Sequence, residues 1–88
     1  MSENDLISYM YQGDEIECLF DSIQYFIQPD YEGNKNNADY KVNMYLCKDD
    51  KFVKKVFCGT PEELLTVKLN GDKVLKDNWD LFTVDLIF

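Results

Sequence analysis

The chain has 88 residues, a formal net charge of −8, 15% aromatic residues and no histidine. One domain of this size hides roughly 60–65% of its extended surface, so its core is thin and its stability modest. Without histidine the usual base near neutral pH and the commonest metal ligand are missing, and without arginine so is the bidentate partner of phosphate.

The charge is unevenly spread. Residues 1–39 carry nine acids against Lys35, whereas residues 40–88 balance eight acids with eight lysines. Such a field repels nucleic acid and anionic lipid and suits either solubility or a basic protein partner. No apolar run is long enough to span a bilayer, and the first residues are acidic where a secretion signal is basic. The expectation is a cytoplasmic protein.

In chain order, Ser2 reads as a helix cap, with Glu3 and Asp5 in the first turn and Gly13 as the stop. Leu6, Tyr9 and Met10 share one face of this helix of about ten residues, which needs a sheet to pack on. Glu15 to Pro29 then reads as a β-hairpin. Ile16, Cys18 and Phe20 alternate in its first arm and Ile23, Tyr25 and Ile27 in its second, around an Asp21-Ser22 turn. Pro29 lacks an amide donor and ends the second arm.

Pro29 to Asp39 shows no apolar periodicity and reads as an exposed loop. Its oxygen ligands do not follow the order of a calcium-binding helix–loop–helix, so it is taken as solvated. A third strand follows over Tyr40–Cys47, with Tyr40, Val42, Met44 and Leu46 on one face. The Lys48–Lys51 turn leads to a fourth strand near Phe52–Cys58, where Lys54 and Lys55 suit an exposed edge.

Thr60-Pro61-Glu62-Glu63 is the strongest local signal: a cap, a proline at the first helical position and the glutamate of a capping box. Leu64, Leu65 and Val67 are expected to pack inward until Asn70-Gly71 breaks the helix. Asp72 is expected to cap a further short helix from Lys73 to about Trp79, and Leu81–Phe88 to return to the sheet. The fold class is therefore α+β: a four- to five-stranded, mainly antiparallel sheet with an N-terminal helix and one or two short helices near the C-terminus.

The three cysteines, Cys18, Cys47 and Cys58, form no closed disulfide set and no zinc spacing, and read as reduced, mostly buried thiols. Only Cys47, beside Lys48, has a nearby positive charge. Glu15 and Glu17 would face the same way on a strand, but they lack any partner group for acid–base chemistry. No enzyme, cofactor or metal is expected.

Glu15-Ile16-Glu17, Tyr25, Ile27, Pro29, Pro61 to Leu65, Gly71, Leu75 and Trp79 together resemble a group of small uncharacterised proteins of Gram-positive bacteria and their mobile elements. The resemblance covers most of the chain and implies a shared fold, with no activity attached. Where that group tends to have an Asn-Gly turn, this chain has Asp21-Ser22.

The functional expectation is a non-catalytic interaction module: an inhibitor, immunity or phage-type factor that binds a basic protein partner, without direct contact to nucleic acid or membrane. Glu15, Glu17, Asp21, Tyr31 and Glu32 are its candidate contact residues, with Tyr9, Tyr11 and Tyr45 as further aromatic contacts. The alternatives are a small-ligand-binding domain and a self-associating protein that pairs through an uncovered sheet face or edge.

Overall fold

The computed structural model describes residues 1–30 and 40–88. Tyr31, Glu32 and most of the proposed loop, with its rejected calcium reading, lie outside the described residues.

Helix α1, Glu3–Tyr11, opens as the sequence indicates. The Ser2 hydroxyl accepts from the Asp5 amide, and the Asp5 carboxylate accepts from the Ser2 amide in return. Gly13, at a φ of 84°, takes the left-handed conformation that ends the helix without a Cβ clash. Leu6 and Met10, one turn apart, are fully buried.

Strands β1 (Ile16–Phe20) and β2 (Ile23–Pro29) form the expected hairpin, with Phe20 opposite Ile23 and Ile16 opposite Ile27. Asp21 and Ser22 both take positive φ, 53° and 65°, the mirror-image turn whose twist matches the strands. β3 runs from Val42 to Lys48 and β4 from Lys51 to Gly59, and Asp49 and Asp50 repeat the same turn between them. Tyr40 precedes β3 and is not part of it.

The C-terminal half returns to the sheet as expected, but its helices are shorter and differently placed. Helix α2 is one turn, Pro61–Leu64. Thr60 caps it by accepting from the Glu63 amide, and the Glu63 carboxylate in return accepts from the Thr60 hydroxyl. Asp72 caps no helix. Asn70 and Lys73 bridge across a tight turn in which Gly71 has a φ of 65°, and the helical residues come later, as a 3-10 helix over Lys76–Leu81. Asp72 pairs instead with Lys68 across the exposed surface. Strand β5, Phe82–Ile87, then pairs antiparallel with β1.

The result is a five-stranded antiparallel sheet in the order β4-β3-β2-β1-β5. One face carries Ile16, Cys18, Phe20, Tyr25, Ile27, Val42 and Met44, all buried with Leu6, Met10, Leu64, Leu65 and Leu75 in a single core. The helices therefore lie on one side of the sheet. The Tyr40 hydroxyl, buried beneath this layer, donates to the Met10 carbonyl at 2.6 Å and closes the end of α1.

Candidate functional site

A strand with one set of alternate residues in the core must present the other set to the opposite face. In β1 that set is Glu17 and Leu19; in β2 it is Gln24, Phe26 and Gln28; in β3 it is Asn43, Tyr45 and Cys47. The register stacks Glu17 beside Phe26, and Phe26 beside Tyr45. β4 breaks simple alternation, because its register slips between Met44 and Tyr45 and again between Leu46 and Cys47. The slips bring Lys55 opposite Tyr45 and Phe52 opposite Cys47, so both side chains reach the Tyr45 side.

Ring contacts define the patch. Tyr45 and Phe52 stack at 5.0 Å and 9°. Phe26 lies 5.1 Å from Phe52 and 6.4 Å from Phe88. The Lys55 ammonium sits 5.9 Å above the Tyr45 ring, within reach of its negative face. Phe52 and Phe88 keep 55% and 60% of their surface exposed, and Leu86, opposite Glu17 on β5, keeps 47%. Large aromatics this open, in one contiguous group, are unlike the scattered apolar residues of an ordinary surface. No described helix covers this face.

The acidic candidates are not brought together. Glu17 lies on the open face at the β1 position of the aromatic row. Glu15 precedes β1, and its carbonyl accepts from the Phe88 amide at 2.8 Å, which anchors Phe88 at the rim. Asp21 is at the far end of β1, in the turn, where it accepts from Lys73 at 2.6 Å and from Asn70 at 2.7 Å. The Lys73 bond holds the Asp21 carboxyl below the usual aspartate range, so this acid serves the fold's internal contacts. Tyr31 and Glu32 fall outside the described residues. Of the expected tyrosines, Tyr45 is part of the open face and Tyr9 is half-buried against the core. Tyr11 hydrogen-bonds Glu62, and that bond, with burial adding to it, pushes its hydroxyl up to about 12.

Neither Cys18 nor Cys47 is activated. Burial raises Cys18 and Cys47, and for Cys47 the nearby Glu17 and Asp50 charges raise it further, opposing any help from Lys48. All three thiols are free and two are buried, in line with the expectation of mostly buried cysteines; Cys58 is the exposed one, and its sulfur lies 3.9 Å from an Asp30 oxygen. Among the described residues no three acids or cysteines converge to hold a metal ion. No described helix is long and apolar enough to cross a membrane.

Sequence reasoning missed Phe26, Phe52, Phe88 and Lys55. Phe26 was within reach, since it alternates with the core residues Tyr25 and Ile27 and had to face away from them. Phe52 and Lys55 were not, because they share a face only through the register slips. Comparison with protein-family models, with curated proteins and with solved structures finds no match to this chain.

Proposed function

We propose that this protein is a non-catalytic protein-interaction module whose binding surface is the open face of its sheet. One observation carries the reading: Phe26, Tyr45, Phe52 and Phe88 form a contiguous aromatic group on the face opposite the helices, flanked by Glu17 and Lys55. Aromatic side chains offer large contact area at small entropic cost, and a charged rim orients what they bind. The contact set is therefore Glu17 with the four rings and Lys55. Asp21 is engaged elsewhere and Glu15 stands at the rim.

The test compares affinity capture with the unaltered chain and with Phe52→Asp and Phe88→Asp. A control substitution, Lys68→Ala, lies away from the open face. The expected result is a stoichiometric protein partner, which can be the untagged chain itself, kept by the control and lost with both open-face variants. A partner kept by both folded open-face variants would move the binding surface elsewhere.

A further inference from the structure

We infer that the partner of the open face is a second copy of this chain, packed face to face about a two-fold axis that runs along the strands between β2 and β3. The inference rests on the reading of the open face as the binding surface, and names what binds there.

The argument comes from one lateral row. Glu17, Phe26, Tyr45 and Lys55 are successive Cα partners across β1, β2, β3 and β4. The row reads acid, aromatic, aromatic, base. Its centre lies between Phe26 and Tyr45. A half-turn about an axis through that centre, parallel to the strands, reverses the row's order in the facing copy. Glu17 then meets Lys55 of the second copy and Phe26 meets its Tyr45, and the same contacts recur with the roles exchanged. An isologous dimer requires this self-complementarity of its interface.

The alternative two-fold, running across the strands, keeps the row's order and places Glu17 on Glu17 and Lys55 on Lys55. Charge therefore selects the first axis. Neighbouring strands lie about 4.8 Å apart, so the row spans roughly 14 Å, and two twisted sheets stack well about 10 Å apart over such a width.

Two further features favour face over edge. β4, one of the two outer strands, bears Lys51 and Lys54 together with two register slips, which discourage pairing at that edge. The row itself is electrically neutral although the chain carries −8, and Glu3, Asp5, Glu62, Glu63 and Asp77 belong to the helices on the other side of the sheet. Two copies can thus approach through the open face without bringing those acids together.

Sedimentation equilibrium over a concentration series tests the inference, on the unaltered chain, Glu17→Lys, Lys55→Glu, the double exchange, and Phe52→Asp. Circular dichroism confirms that each variant is folded. The expected result is a dimer whose dissociation constant rises about tenfold or more in each single exchange, because two attractive contacts become repulsive. The double exchange restores it, since the row then reads base, aromatic, aromatic, acid. A chain that is monomeric throughout the series overturns the inference, and the open-face reading is then judged by capture alone. A dimer abolished by Phe52→Asp but indifferent to the charge exchanges overturns this axis and leaves the open face intact. A dimer indifferent to all the variants overturns both.

Discussion

The Lys73 ammonium lies 2.6 Å from the Asp21 carboxylate, joining residues fifty-two positions apart in the chain. Asn70 donates to the same oxygen, and the Asp21 amide donates to the Leu81 carbonyl at 3.1 Å. The turn of the first hairpin is therefore held by the segment that leads into the last strand.

This clasp is expected to show in the acid limb of stability. The Asp21 carboxyl is lowered chiefly by its Lys73 bond, so its contribution is present above the ordinary aspartate value and fades as pH falls through the lowered one. Carbon-13 detection of the carboxyl should find Asp21 titrating low, and Lys73→Met should return it toward the ordinary value. An Asp21 that titrates normally in the unaltered chain would mean that the clasp is open in solution.

The Tyr11–Glu62 bond is expected to act at the alkaline end. The Tyr11 hydroxyl is raised from 10.0 to about 12, chiefly by donating to Glu62, so the bond's contribution is complete below the unfolded tyrosine value and is lost as pH rises through the folded one. Glu62→Gln should bring the Tyr11 titration, followed by NMR of its ring, back toward 10.0. Unchanged titration in that variant would assign the shift to burial alone.

Tyr40→Phe deletes a buried bond to the Met10 carbonyl, which keeps the Gly13 amide as a donor at 3.0 Å. The expected loss is about 0.5–1.5 kcal/mol in denaturant unfolding, the net worth of one hydrogen bond whose acceptor keeps a second donor. Faster amide exchange should concentrate near Gly13 and Asp14, whose amides donate to the last turn of α1. A uniform increase across the sheet would show that Tyr40 supports the whole core and not this junction.

Asn43 is 5% exposed in β3, and its Oδ1 has no hydrogen-bond partner among the described residues. A buried acceptor left unpaired costs about 1–3 kcal/mol, and valine is the better strand former. Asn43→Val is therefore expected to raise the denaturation midpoint by the equivalent of about 1 kcal/mol. A lower midpoint would show that the amide is bonded in solution.

The first half of the fold was legible because its signals are local and agree with one another. Ser2, Gly13, the period of Ile16 to Phe20 and the two-residue turn each specify the same answer, and α1, β1 and β2 follow. The Asp72 helix was misread because Asn70 to Lys73 closes on itself as a bridged turn, and the Lys73 side chain is drawn away to Asp21. Asn70-Gly71 marks the turn locally, but the hold of Asp21 on Lys73 depends on a residue distant in sequence. The open face of the sheet was only half legible. Period-two alternation yields Glu17, Phe26 and Tyr45, but Lys55 and Phe52 come to them through slips that the β4 sequence does not announce. Glu15, Glu17 and Asp21 looked like one acidic set only because they are close in the chain.

The pairing of β5 with β1 sets a condition on the protein's birth at the ribosome. β1 is an interior strand, yet one of its two neighbours is translated more than sixty residues after it. Until Phe82–Ile87 emerges, the nascent hairpin exposes the amides and carbonyls of β1 as an open edge, and the Asp21 turn waits for Lys73. Cooperative closure must follow synthesis of the last strand, and a stalled or truncated product would present that edge to any other extended chain in the cell.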